Sequence, residues 1–205
     1  MAQNLDSKVR AKVWLTPDQI DDLRSACYST GADYLQQRNE VIVALMYDTG
    51  LRVGELVAVD VDMLREGNSA LYVPTEIQKD YPNDNEPAPA TLELASDVTR
   101  LLSSYLNSRW KDSPALFPSR SSERITTQGV RNAISKVAQE ADIEPYLVDG
   151  TRGDPGDVTP HALRHSVAYR MMNAEEGNTL YDVRNRLRHR SIQTTEQVYD
   201  HIIRV

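Results

Sequence analysis

Arg52, His161, Arg164, His189 and Tyr199 are the side chains of this sequence whose types and settings suit chemistry on a phosphate. In TGLRVGEL, residues 49–56, Arg52 comes just after a helix-ending Gly50, where a guanidinium can point into a cleft, and Glu55 three residues on can brace it. In HALRH, residues 161–165, His161 and Arg164 are three apart and share one face of a first helical turn. An arginine fork, an imidazole and the positive end of a helix together match a phosphate oxyanion. In LRHRSIQTTEQVYDH, residues 187–201, His189 falls at a helix end and Tyr199 on the next helix, adding a hydroxyl that can act as a nucleophile. Each has a plainer reading: a helix-end arginine, a half-buried tyrosine among ten, or a metal pair in His161 and His165. The metal pair is disfavoured, because HALRH lacks the glutamate of HExxH and no third ligand is evident. No metal site is expected.

The elements that must position these groups are mostly helical. Thr16, Pro17 and Gln19 form a cap, a first-position proline and a capping-box partner, so DQIDDLRSACYS at 18–29 is read as a helix. A second helix runs from Tyr34 to Gly50, with Val41, Ile42, Leu45 and Met46 near helical spacing. SALYVP (69–74) and TLEL (91–94) are short and alternating, and the turn-rich stretch between them makes a β-hairpin. Helical periods return at 96–110, 126–141 and 159–173, the last opening on Thr159 and Pro160. YLVDGTRGDPGD (146–157) reads as loop, and two short helices, 180–189 and 194–203, close the chain. The expected fold class is mostly α with a small antiparallel β-sheet, an α+β domain.

Taken in order, GLRVGEL, HALRH and LRHRSIQTTEQVY resemble the catalytic domain of the tyrosine recombinases, the phage-integrase and Xer-type family. The resemblance implies Arg52, His161, Arg164 and His189 as catalytic groups and Tyr199 as nucleophile, with Glu55 and His165 in support. The family also uses a hairpin lysine, and Lys79 is the one lysine between Arg52 and Lys111. The implied activity is site-specific cleavage and rejoining of double-stranded DNA. Tyr199 attacks a backbone phosphate, a 5′-hydroxyl leaves, and a 3′-phosphotyrosine stores the bond. The arginines offset charge on the pentacovalent phosphate, His161 takes the tyrosine proton, and Lys79 protonates the leaving oxygen. No cofactor is implied, neither metal nor ATP, and the partners implied are duplex DNA and further subunits in a tetrameric synapse.

Three departures from the family pattern bear on this. Arg188 stands where the family usually has glycine, which suits a turn outside the left-handed region and sets a cation beside DNA. Tyr199 lies ten residues after His189, one more than the common pattern. One residue rotates a helical side chain by about 100°, so residues 190–193 must absorb it or the tyrosine is displaced. A displaced tyrosine gives the alternative reading, a non-catalytic DNA-binding or regulatory relative. The domain is expected over 15–205 after a polar tail at 1–14, with no counterpart to the family's N-terminal core-binding domain.

The bulk composition sets the bounds. With 205 residues, 40% hydrophobic and a mean hydropathy of −0.52, the chain supports one core without covalent staples. No run of about 18 apolar residues spans a bilayer, and no secretory leader stands at the N-terminus. The lone Cys27 excludes a disulfide framework, and a cytoplasmic setting is expected. A net charge of −7 argues against a nucleic-acid partner until it is divided along the chain. Between His161 and Arg190, six arginines meet three acids. Arg184, Arg186, Arg188 and Arg190 are therefore expected to contact DNA phosphates. The bias to 18 Asp, five Lys and one Phe points to a halophilic source.

Overall fold

The structure is a computed structural model that describes residues 13–79 and 86–199. Helix α1 (Pro17–Ala26) starts as its sequence dictates: Thr16 accepts from the Gln19 amide, and Gln19 returns a bond to the Thr16 amide at 3.1 Å. Its apolar face, Ile20 and Leu23, is buried against α2 (Asp33–Thr49). Helix α2 is the central post of the domain, with Val41, Ile42, Leu45 and Met46 fully enclosed. It stops at Gly50, whose φ of 65° is the left-handed conformation that favours glycine. A short α3 (Val53–Ala58) follows at once.

The hairpin forms with one strand more than expected. Strands β2 (Leu64–Arg65), β3 (Ala70–Val73) and β4 (Ala90–Glu93) make an antiparallel sheet in that order, with Leu71 opposite Leu92. Helices α4 (Ser96–Ser108) and α5 (Thr127–Glu140) follow, and each packs against α2. Helix α6 (Pro160–Asn173), capped by Thr159, is buried from Ala162 through Ala168, because it runs between α2 and the last helices. Helix α7 (Leu180–Leu187) ends two residues earlier than expected, since Arg188 turns left-handed. Helix α8 (Ile192–Tyr199) starts two residues earlier, and the expected continuation to residue 203 lies outside the described residues.

Two segments read as tail and loop prove to be a sheet. Strand β1 (Val13–Trp14) pairs antiparallel with β5 (Tyr146–Leu147). Trp14 stacks on both Tyr146 and Tyr169, and the Leu15 amide donates to Ser166 Oγ at 2.8 Å. A two-residue strand carries no detectable period, so only the stacking partners, far away in sequence, reveal it. Residues 13 and 14 thus belong to the domain and not to a tail.

Arginines from α6 and α7 collect on the C-terminal carbonyls of α2, where helix partial charge is negative. Arg170 donates to Tyr47 O at 3.1 Å and to Asp48 O, Arg186 donates to Asp48 O at 2.9 Å, and Arg164 donates to Gly50 O. Among the described residues no helix is long and apolar enough to cross a membrane.

Candidate active site

The two arginines are held in different ways. Arg52 is the N-cap of α3, and Glu55 sits one turn in. The Glu55 carboxylate accepts the Arg52 backbone N–H at 2.8 Å and, through Oε1, the guanidinium Nη1 at 2.8 Å. Arg164 rises from the second turn of α6 and is fully buried. Its fork donates to Gly50 O and Leu187 O, so it spans the ends of α2 and α7. Burial, then the charge of Arg52, lowers its pKa to about 9, which leaves it a cation at neutral pH.

Tyr199 is 1% exposed at the end of α8. Its hydroxyl is 3.1 Å from His165 Nδ1, and its ring stacks on His189 with centroids 5.9 Å apart. Burial pushes the phenol up to about 12 against the opposing pull of Arg164 and Arg52. His189 Nδ1 is 2.9 Å from Thr195 Oγ1 on α8. Burial, followed by Arg164, Arg52 and Arg188, lowers its pKa to about 3. His161 is exposed. Partial loss of hydration, then the charges of Arg164 and Arg52, lowers its pKa as well.

Arg52, His161, Arg164, His165, His189 and Tyr199 all line one cleft of about 510 Å³, together with Gly156, Asp157 and Thr159. The tyrosine therefore reaches the cleft despite its tenth-residue spacing, because only Arg188 to Ser191 separate α7 from α8. His165, expected in support, is the tyrosine's hydrogen-bond partner, the place that the resemblance gave to His161. Lys79 does not line this cleft. It is exposed in an adjoining hollow of about 480 Å³, which has Glu55 in its wall and shares Arg52 with the cleft. Residues 80–85, which follow it, lie outside the described residues.

The arginine quartet divides. The Arg188 backbone is left-handed, with φ 53° and ψ 47°, contrary to expectation, and its side chain turns inward to Glu55 Oε2 at 2.6 Å. Arg186 likewise binds the buried Asp48 carboxylate at 2.6 Å and Glu93 O. Both were expected at DNA. A buried carboxylate outbids solvent for each of them, and their guanidinium groups are internal ties. Arg184 is partly exposed and Arg190 exposed. Sequence reasoning missed Thr195 as the partner of His189 and Asp48 as the partner of Arg186. Thr195 carried a faint signal as a hydroxyl on the apolar face of α8.

Fold and cleft together define a mostly helical domain with an arginine, histidine and tyrosine site. The chain belongs to the phage integrase family: residues 13–204 match it. Tyrosine recombinase XerC of Roseiflexus castenholzii is 32% identical over 189 residues, which cover 92% of this chain and 54% of that protein. The crystal structure of XerA recombinase superposes with a TM-score of 0.70 at 25% identity, covering 90% of this chain and 59% of that one. The Tn1549 transposon integrase, solved with transposon right end DNA, shares the fold with a TM-score of 0.72 at 18% identity, covering 100% of this chain and 64% of that one. The chain thus spans about half the length of the curated relatives it matches.

Proposed function

We propose that this chain is the catalytic domain of a site-specific DNA recombinase that cuts and rejoins duplex DNA through a 3′-phosphotyrosine. The observation that carries the reading is the convergence of Arg52, Arg164, His189 and Tyr199 on one cleft. Arg164, anchored through two backbone carbonyls, offers a preorganised cation to the non-bridging oxygens, and Arg52 faces it from α3. The Tyr199 oxygen attacks phosphorus, its proton passes toward the histidines, and the bond to the 5′-oxygen breaks as that oxygen is protonated. Lys79, beside Arg52 in the adjoining hollow, is our candidate for that proton. His189, held neutral, donates a hydrogen bond to the phosphate and not a charge. Arg184 and Arg190 are proposed to meet the DNA backbone, and family resemblance adds a tetrameric synapse on DNA.

The domain is taken as residues 13–205, acting in the cytoplasm. The acidic composition suggests a salt-rich cytoplasm, which unfolding at low and molar KCl would check. The function is tested with a randomised pool of nicked suicide duplexes, in which the cleaved end diffuses away and traps the covalent state. A protease-sensitive DNA adduct formed by the wild type and absent from Tyr199→Phe supports the reading. DNA binding without an adduct at any salt concentration sinks it and leaves the non-catalytic alternative.

A further inference from the structure

Arg188 occupies a left-handed backbone conformation that disfavours a residue with a Cβ, yet its side chain does not face solvent. It is 8% exposed, and its Nη2 meets Glu55 Oε2 at 2.6 Å. Glu55 is itself 1% exposed, with its other oxygen on Arg52 Nη1 at 2.8 Å. One enclosed carboxylate therefore stands between two guanidinium groups, one from α3 and one from the turn that carries His189. A carboxylate facing a single arginine draws both arms of the fork onto its two oxygens. With Oε2 held by Arg188 and by the Arg52 backbone N–H, the Arg52 guanidinium engages Glu55 through one nitrogen only, and its side chain lines the cleft.

We propose that Arg188 is a positioning residue that acts through Glu55 to hold Arg52 open toward the phosphate. The proposal rests on the reading of Arg52 as a phosphate-binding group. The same tie joins the two halves of the site, since Arg188 immediately precedes His189 and its turn leads into α8 and Tyr199. The charged groups facing Glu55 are Arg52 on α3, Arg164 on α6 and Arg188 at the end of α7, with Glu76 and Lys79 lining the hollow beside it.

The test is Arg188→Gly, because glycine is the residue best suited to a left-handed turn. A loss on that substitution cannot be charged to backbone strain, and a cooperative unfolding transition confirms that the variant folds. Cleavage of the suicide duplex at saturating DNA should slow by about tenfold to a hundredfold, the range for a mispositioned catalytic group, with half-saturation changed far less. The acid limb of the rate profile should move to higher pH, since Glu55 left with Arg52 and the more distant Arg164 takes a proton more readily. Arg188→Lys should restore the wild-type limb and part of the rate. An Arg188→Gly protein as fast as wild type, with the same limb, overturns the proposal. If the wild type itself forms no adduct, the recombinase reading fails, and the tie is judged by the ¹³C titration of the Glu55 carboxyl. A higher titration midpoint in Arg188→Gly supports the tie, and an identical midpoint overturns it.

Discussion

The Tyr199 hydroxyl lies 3.1 Å from His165 Nδ1, inside a site that is closed to solvent on that side. The proposed nucleophile is thus held as a neutral phenol at neutral pH, with its pKa pushed up to about 12 by burial. The buried Tyr105 and the half-buried Tyr47 are likewise raised to about 12. An unfolded tyrosine loses its proton near 10. Between about pH 10 and 12 the folded state holds more protons than the unfolded one, so stability falls as pH rises through that window. Denaturant unfolding from pH 9 to 12 should show the decline, and Tyr199→Phe should flatten part of it. A wild-type stability constant across the window would refute the closed setting of these phenols.

On the acid side the governing group is His189. It is neutral in the fold down to about pH 3, whereas an unfolded histidine takes a proton near 6.5. Stability from this group is complete above about 6.5 and is lost as pH falls toward 3, with His161 acting in the same direction. His189→Gln, which keeps a neutral hydrogen-bonding side chain beside Thr195, should make unfolding less steeply dependent on pH between 4 and 6. NMR of the imidazole checks the cause directly. A His189 ring that titrates near 6 would show that water and counter-charge reach it.

Arg186 and Arg190 are two residues of one basic cluster and should behave differently. Arg186 ties Asp48, which is buried, through its carboxylate and its carbonyl. Arg186→Ala leaves that carboxylate without its main partner and should cost about 3 kcal/mol in chemical denaturation. Arg190 is exposed. Arg190→Ala should change stability by less than about 0.5 kcal/mol and lower the slope of log affinity for DNA against log salt by about one phosphate contact. The reverse pattern would place Arg186 on the DNA and empty the tie of meaning.

This division marks where the sequence stopped being legible. Capping signals are local, so Thr16, Thr159 and their prolines located helix starts that the structure keeps. Arg52, His161, Arg164, His189 and Tyr199 stood out by their motifs, and the structure lines one cleft with them, from the cap of α3, from α6, from the turn after α7 and from α8. The direction of an arginine is not local. Whether Arg188 turns out to DNA or in to Glu55 depends on a carboxylate far away in the chain, and on a turn whose handedness no single residue announces. Trp14 was misread as tail for the same reason, its partners Tyr146 and Tyr169 being remote.

Gly50 joins backbone geometry to the aim of Arg164. A Cβ there would strike the Leu187 side chain and come within 3.6 Å of Val167, on a residue already at φ 65°. Gly50→Ala should therefore cost about 2–5 kcal/mol, the sum of left-handed strain and overpacking. The cost should not be confined to stability. Gly50 O and Leu187 O are the two acceptors that fix the Arg164 fork, and the clash pushes the ends of α2 and α7 apart. Adduct formation should consequently fall even at temperatures where the variant is fully folded. Adding Leu187→Ala removes the clashing methyl while keeping both carbonyls, so the double variant should regain cleavage although it loses buried apolar surface. If Gly50→Ala instead cleaves at the wild-type rate when folded, the spacing between these two helix ends does not govern the aim of Arg164.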